Sequence, residues 1–413
     1  MIPMRCLIGL ICCLALTAAD LKQLHRLYEK DRVFELREAL RQPGWNDSET
    51  LFYRAVLECR FGRETAGIED LRKFVAGHSN DALDGKAYLE LASALLRMGR
   101  YGDSAIALAE ALHRMPKDDP DRADNENART LYESLKDVAP VAARFDQDVA
   151  IEAKHNRLGS WDVPVEVNSV SGEWIFDTGA NMSTLTQSEA AKMGLTTRDS
   201  SAYVKGSTQQ KNPLRLAVAR DLRFGNAHAS NVVFLVLPDK SLYIDPLKYQ
   251  IRGILGIPVI RALGTVGISA KGVIRIEPDG GGATGEPNMF FADLDPIVSA
   301  HHAGRRLQVF LDTGANATSL YPSARSVLTL DELGRLERKQ EQTGGAGGTV
   351  TATTEVMPEL RLEIPGRTVD LHNLSLHLKQ LPGFKGLRDG VLGTDGLAGG
   401  FTLDFRRMQL RLD

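Results

Sequence analysis

The pattern of apolar and polar positions divides the chain into two parts. From Asp20 to about Ala143, apolar residues recur every three or four positions, Gly and Pro are sparse, and charged residues fill the gaps. From about Phe145 the period becomes two, as at Val163 and Val165. The first period predicts amphipathic helices and the second predicts half-buried strands. We therefore expect a multidomain protein in which an all-α N-terminal domain precedes an all-β region.

Two segments of the N-terminal part share one design, a pair of helices around a glycine turn. The clearer segment, residues 86–115, turns at Gly99, and the earlier one turns at Gly62. Small residues stand where the helices would approach closely. The pair resembles a tetratricopeptide repeat, although the two glycines are further apart than the roughly 34 residues of that repeat. We assign residues 20–143 to this helical-repeat domain, which would serve either as a concave surface for a protein partner or as a plain helical cap.

The β region repeats itself across a glycine-rich linker at residues 279–287. Asp-Thr-Gly-Ala-Asn occurs at residues 177–181 and again at residues 312–316, each time directly after an apolar run. One such pentapeptide is typical of a β-turn. Two copies in matching positions instead indicate a duplicated lobe. We place lobe 1 at residues 145–279 and lobe 2 at residues 285–413.

A second landmark occurs in each lobe, an apolar-apolar-Gly triplet at residues 254–256 and 391–393. Apolar-apolar-Asp-Thr-Gly-Ala followed by such a triplet resembles the aspartic peptidase lobe, closest to the retropepsin-like type. The resemblance covers about residues 150–413. It implies an all-β, two-lobe acid-protease barrel fold within one chain, with the triplets supporting the catalytic loops from behind.

Two aspartates at the junction of the lobes would supply the chemistry of peptide hydrolysis. Without a metal or a covalent intermediate, this reaction needs one group to deprotonate water and another to protonate the scissile carbonyl. In aspartic proteases two carboxylates about 3 Å apart share one proton, because both cannot ionise comfortably at that distance. Asp177 and Asp312 are therefore the predicted catalytic dyad.

The resemblance also assigns supporting roles to the residues that follow each aspartate, namely Thr178, Gly179, Ala180, Thr313, Gly314 and Ala315. The threonines would bond across to the backbone of the opposite lobe, and the glycines would let the chain turn and approach closely. The alanines replace a hydroxyl residue of pepsin-like enzymes, which removes a hydrogen bond that favours the ionised carboxylate. We therefore expect an activity optimum nearer neutral pH than that of a gastric enzyme.

Members of this family close a flap hairpin over the substrate. The candidate flaps are residues 203–207 in lobe 1 and residues 343–349 in lobe 2, and the candidate flap residues are Tyr203, Gly206, Gly345 and Gly347. Surface hairpins without a role are the alternative. Lobe 1 also carries an insertion, residues 237–252, that would cover or narrow the cleft.

Charge and composition indicate neither nucleic acid nor a cofactor as a partner. The 413 residues carry a net charge of -3 with a pI of about 6.3, so no basic footprint for nucleic acid stands out. His301 and His302 have no third ligand at metal-binding spacing, and we expect a solvated turn before Gly304 there. We predict no metal and no cofactor.

The chain opens with the features of a signal peptide. Residues 1–19 contain Arg5, an apolar run and small residues at the end. Three of the four cysteines lie in this leader, so Cys59 has no partner for an internal disulfide. No later stretch approaches the roughly 20 apolar residues that span a bilayer. We expect a secreted or periplasmic protein without a membrane span or a lipid anchor.

These observations predict an exported aspartic endopeptidase that acts on a peptide or protein substrate as a monomer with pseudo-two-fold lobes. Two alternatives stay open. One is a non-catalytic peptide-binding or scaffold protein that uses a peptidase-like cleft and helical repeats. The other is a dimer in which lobes from two chains pair.

Overall fold

The computed structural model describes residues 21–413 except 78–81, 146, 206–210, 278–284, 346–347 and 380–387, and residues 342–345 and 348–350 by their backbone alone. The predicted signal peptide, residues 1–19, lies outside the described residues. Within the described part of the chain, no helix has the length and apolar character needed to cross a membrane.

An N-terminal helical domain precedes the β region, as the sequence predicts. Its helices are α1 (Leu21–Glu29), α2 (Val33–Leu40), α3 (Asp47–Arg60), α4 (Glu64–Gly77), α5 (Asp84–Arg97), α6 (Tyr101–Arg114) and α7 (Arg122–Glu133). Helices α3 and α4 pack together, as do α5 and α6. The turns between them contain Gly62 and Gly99, whose φ angles of +80° and +70° are left-handed values that glycine adopts without steric cost.

Lobe 1 is built on one large sheet, whose edge strand, at residues 142–144, begins just before the start of the lobe expected from the sequence. Its elements are β1 (Ala142–Arg144), β2 (Val149–Glu152), β3 (Lys154–His155), β4 (Trp161–Val167), β5 (Val170–Phe176), β6 (Ser183–Thr186), α8 (Gln187–Lys192), β7 (Thr197–Lys205), β8 (Lys211–Ala219), β9 (Leu222–Phe224), β10 (Ala227–Ser230), β11 (Val232–Leu237), β12 (Tyr243–Ile244), β13 (Tyr249–Gln250), β14 (Gly253–Leu255), α9 (Ile257–Ala262), β15 (Thr265–Ser269) and β16 (Val273–Glu277). The sheet runs in the order β1-β10-β9-β4-β5-β14-β6-β11-β8-β7. The alternating valines of β4 are buried, which explains their period of two.

Lobe 2 repeats the central part of this arrangement. Its elements are β17 (Met289–Ala292), β18 (Asp295–His302), β19 (Arg305–Leu311), β20 (Ser319–Leu320), α10 (Leu330–Gly334), β21 (Glu337–Gly345), β22 (Gly348–Ile364), β23 (Arg367–His377), β24 (Gly390–Leu392), β25 (Gly400–Asp404) and β26 (Gln409–Leu412). The order β5-β14-β6 in lobe 1 corresponds to β19-β24-β20 in lobe 2. In both, the middle strand carries the apolar-apolar-Gly triplet and runs parallel to the strand before the aspartate.

The prediction of a solvated turn at His301 and His302 is wrong. Both residues belong to β18, and the turn follows them, at Ala303 and Gly304, where φ is positive. The His302 side chain is buried and contacts the Glu332 carboxylate at 3.0 Å. The strand extends further than expected because β19 pairs with it through to its last residue.

A smaller sheet joins the two lobes. Its order is β2-β16-β15-β25-β26, so lobe 1 strands continue directly into lobe 2 strands. The junction is the antiparallel pair β15 and β25, in which Val266 lies opposite Leu403. Backbone hydrogen bonds therefore connect the lobes of a single chain.

The helical domain shares a hydrophobic core with lobe 2. Phe290 of β17 is fully buried, and its ring centroid lies 5.2 Å from that of Phe34 and 6.1 Å from that of Phe61. Polar contacts flank this core. The Arg32 guanidinium contacts the Asp389 carboxylate at 2.8 Å, within the segment that leads into β24.

The same domain also reaches lobe 1. Arg261 of α9 donates to the carbonyl oxygen of Arg97 at 2.8 Å and pairs with the Glu64 carboxylate at 2.6 Å. Arg97 in turn donates to the carbonyl oxygen of Asp293 in lobe 2 at 2.8 Å. The helices thus bridge both lobes, and part of their surface is covered within the chain itself.

The lobe 1 insertion forms two short 3-10 turns and the hairpin of β12 and β13. It extends from lobe 1 to contact β22 of lobe 2. Tyr243 and Leu247 on this insertion leave large parts of their apolar side chains exposed.

Candidate active site

Each predicted catalytic aspartate follows the last residue of a buried strand. Asp177 comes directly after β5, and its N–H donates to the carbonyl oxygen of Leu255 at 3.0 Å. Asp312 comes directly after β19, and its N–H donates to the carbonyl oxygen of Leu392 at 3.0 Å. The apolar-apolar-Gly strands therefore lie beside both aspartates and hold the two loops in equivalent positions.

Thr178 and Thr313 connect the two loops by a symmetric exchange of hydrogen bonds. The N–H of each donates to the Oγ1 of the other at 3.0 Å. Each hydroxyl then donates across the junction at 2.8 Å, Thr178 to the carbonyl oxygen of Leu311 and Thr313 to that of Phe176. Both side chains are fully buried, so water has no access to replace these bonds.

Removal of one hydroxyl from this exchange tests its strength. Thr178→Val keeps the shape of the side chain but leaves a buried N–H and a buried carbonyl oxygen without a partner. We expect the free energy of unfolding to fall by about 2–3 kcal/mol. Thr178→Ser keeps the hydroxyl and is the matched control. Urea unfolding that ranks the two variants equally would contradict this account.

The glycines after the threonines make room for the opposite aspartate. A Cβ at Gly179 would lie 2.5 Å from Asp312 Cγ, and a Cβ at Gly314 would lie 2.6 Å from Asp177 Cγ. Real Cβ atoms do not come this close to another heavy atom. Each carboxyl group therefore lies against the loop that carries the other one. The structure thus brings Asp177 and Asp312 together at the junction of the lobes.

Backbone N–H groups also point at both carboxylates. The N–H of Gly179 donates to Asp177 Oδ1 at 2.7 Å. Gly314 and Ala315 donate to Asp312 Oδ1 at 2.9 and 3.1 Å. Ala315 in lobe 2 therefore supports the Asp312 carboxylate through its backbone N–H, because its methyl side chain cannot donate a hydrogen bond.

Desolvation controls the titration of the pair. Burial, followed by the charge of Asp312, raises the pKa of Asp177 well above its usual range. Burial also raises the pKa of Asp312, although the N–H groups of Gly314 and Ala315 oppose the shift. Because the carboxyl groups interact directly, both protons titrate as properties of the pair.

A further hydroxyl residue supports each loop, and our sequence interpretation missed both. Ser183 Oγ accepts from the N–H of Gly256 at 3.0 Å, and Thr318 Oγ1 accepts from the N–H of Gly393 at 3.1 Å. These bonds fix the triplet glycines behind the loops. Both hydroxyl residues stand at the same distance from their aspartate, so the duplication itself was a usable signal. Ser160 adds a contact between lobes, because its hydroxyl donates to the carbonyl oxygen of Gly314 at 2.9 Å.

Two of the four candidate flap residues, Tyr203 and Gly345, are described, and each lies on a strand of a hairpin. Tyr203 is on β7, which pairs with β8, and its ring lies under the Lys211 ammonium at 4.3 Å. In lobe 2 the backbone of Gly345 pairs with that of Gly348. Gly206 and Gly347 lie outside the described residues. The flap role of all four stays a prediction.

Among the described residues, no group of three or more His, Cys, Asp or Glu side chains has the arrangement of a metal site. The titratable groups that meet at the junction of the lobes are two carboxyl groups, those of Asp177 and Asp312. The described chain thus consists of an N-terminal helical domain followed by a β region in which two similar lobes meet, with one aspartate from each at their junction.

Part of the chain matches a known protein family. Residues 163–259 match the family model described as Aspartyl protease, a span that runs from β4 into α9 and contains Asp177. A solved retropepsin-like aspartic protease from Rickettsia conorii is similar to the chain at 20% identity, over 33% of this chain and 93% of that one, with a TM-score of 0.25. No curated protein matches the chain. The family match supports an aspartic protease function in general terms.

Proposed function

We propose that the chain is an exported aspartic endopeptidase that hydrolyses peptide bonds with Asp177 and Asp312. The observation that carries the proposal is the crossing of the two loops, where the glycine after each aspartate lies against the carboxyl group of the opposite lobe and the threonines lock the loops together. Such a pair provides a base and an acid at one place, and peptide hydrolysis needs both.

In the proposed reaction a water molecule lies between the dyad and the scissile carbonyl. The ionised carboxyl takes a proton from this water while its oxygen bonds to the carbonyl carbon. The protonated carboxyl gives its proton to the carbonyl oxygen. In the second step the carboxyl that was protonated by water gives that proton to the leaving nitrogen as the C–N bond breaks. The other, now ionised, carboxyl takes a proton from a hydroxyl of the tetrahedral intermediate as the new carbonyl forms, so the dyad again holds one proton. No metal is part of this sequence.

The alternative of a peptide-binding protein without catalysis is less well supported. A protein that only binds gains nothing from two carboxyl groups held in contact, because their desolvation and mutual repulsion disfavour the folded state. The helical domain as a partner-binding surface stays a prediction. Its contacts with Phe290 and Asp389 favour at least a partly structural role.

The single-chain arrangement supports a monomer. The β15–β25 pairing and the threonine exchange both occur within one chain. We propose that one molecule contains one complete site and that the protein works outside the cytoplasm after loss of residues 1–19.

The pH profile of peptide cleavage tests the proposal. We expect the chain from residue 20 onward to cleave members of a peptide library and to be blocked by a pepstatin-type inhibitor. The active form carries one proton on the dyad, so activity falls once both carboxyls ionise. Because the pKa of Asp177 is raised, this loss occurs at a higher pH than for ordinary carboxylates, and activity extends toward neutral pH. Absence of cleavage at every pH would favour the binding protein.

A further inference from the structure

We infer that Asn127, on α7 of the helical domain, is a positioning residue for the hairpin of β7 and β8, and that it thereby helps lobe 1 retain substrate. The inference rests on the proposed peptidase function for the part that concerns substrate. The contacts on which it depends lie within the described strands of this hairpin.

Asn127 pairs with the outer edge of the hairpin as a neighbouring strand would. Its Oδ1 accepts from the N–H of Tyr203 at 3.0 Å, and its Nδ2 donates to the carbonyl oxygen of Tyr203 at 2.9 Å. β7 is the edge strand of the lobe 1 sheet, so these groups point away from β8. A primary amide offers a donor and an acceptor together, which matches both groups. On the other side Tyr203 lies opposite Pro213, which has no N–H to donate.

Two more contacts follow the same edge. The Lys205 ammonium pairs with the Asp124 carboxylate at 2.5 Å, and the Arg198 guanidinium donates to the carbonyl oxygen of Ser134. Residues 198, 203 and 205 of β7 therefore contact residues 134, 127 and 124 in that order. The contacts move toward the start of α7 as the strand proceeds. The helix runs antiparallel to the strand over most of its length and contacts it on both sides of Asn127.

The α7 region is itself anchored in the core of the β region. Leu135, just after the helix, is fully buried in that core, and Leu131 and Tyr132 pack against it. Movement of α7 would expose these side chains to water, at a cost of about 1.5–3 kcal/mol for each large apolar group. The helix is thus a fixed support, and its contacts hold β7 in place.

A fixed outer strand affects substrate retention more than bond cleavage. Asn127 does not contact the dyad, so its loss leaves the acid and base in position. In the flap role predicted for this hairpin, a loosened β7 would close over a bound peptide less effectively, and the peptide would then escape more readily. The expected signature is a raised KM with little change in kcat.

The test compares three variants of the full mature chain. Asn127→Leu keeps the branching of the side chain at Cγ but removes both hydrogen bonds, and Asn127→Asp keeps the acceptor for the Tyr203 N–H but removes the donor. Arg129→Leu changes an exposed position on the same helix and is the control. Hydrogen exchange of residues 197–205 reports on the strand, and peptide kinetics report on KM and kcat.

We expect Asn127→Leu to speed exchange of this strand about five- to tenfold and to raise KM by a similar factor, with kcat within about twofold of wild type. Asn127→Asp retains slow exchange at the Tyr203 amide, and Arg129→Leu changes neither readout. Unchanged exchange in Asn127→Leu overturns the positioning role. Faster exchange with unchanged KM overturns the link to substrate. If the wild-type chain cleaves no peptide, the proposed function fails, whereas the exchange result still decides whether Asn127 holds the strand.

Discussion

Asp177→Asn and Asp312→Asn, each alone, are expected to lower kcat for peptide cleavage by at least about 10³-fold. Either change leaves one titratable carboxyl where the reaction needs a base and an acid together. The amide is close in size to the carboxyl, and the threonine exchange that holds the loops is untouched. Activity is measured on one peptide from the library at the optimum of the wild-type profile. Cleavage that persists in both variants would exclude the proposed mechanism.

Two controls accompany this experiment. Mixing the two inactive variants should restore no activity, because each molecule would contain one complete and damaged site. Recovered activity would instead indicate lobes paired between chains. The second control is stability. A raised pKa in the folded state means that the fold disfavours the ionised carboxyl, so stability falls as the pH rises through that pKa. Asp177→Asn should remain folded and lose this part of the pH dependence.

Phe290→Ala is expected to lower the free energy of unfolding by about 3–5 kcal/mol. The Phe290 side chain extends from β17 toward the helical domain, where it is fully buried against Phe34 and Phe61. Its loss leaves a cavity that borders both domains. The matched control is Leu330→Ala, at a side chain with 88% of its surface exposed, which should change stability by less than about 0.5 kcal/mol.

The positions at which hydrogen exchange becomes faster in Phe290→Ala test whether the helices and lobe 2 share one core. If the helices and lobe 2 share one core, hydrogen exchange in Phe290→Ala increases at α2 as well as at β17. Faster exchange confined to β17 would mean that the helical domain folds independently of the β region, and it would contradict the shared core.

The sequence allowed the central part of the site to be predicted because its chemistry is local and occurs twice. Aspartate, threonine and glycine are adjacent in each motif, and the duplication distinguished them from an ordinary turn. The same duplication would have revealed Ser183 and Thr318, which occupy equivalent positions after Asp177 and Asp312. These hydroxyls were missed because a single serine or threonine after a turn carries no signal of its own.

Other contacts could not be predicted, since they join distant residues and occur once. Asn127 and Tyr203 are 76 residues apart, and Arg32 and Asp389 are 357 apart. The period of the helical domain predicts its helices but not which of their faces covers lobe 2. That choice depends on the shape of the assembled lobes.

The shared core also bears on how such an enzyme would mature. Many proteases are made with a prosegment that is cut off and leaves. Departure of these helices would uncover Phe290 and leave the buried Asp389 carboxylate without Arg32. We therefore expect the helical domain to stay with the β region, so that a cut in the loop before β1 yields a nicked protein whose two pieces remain together.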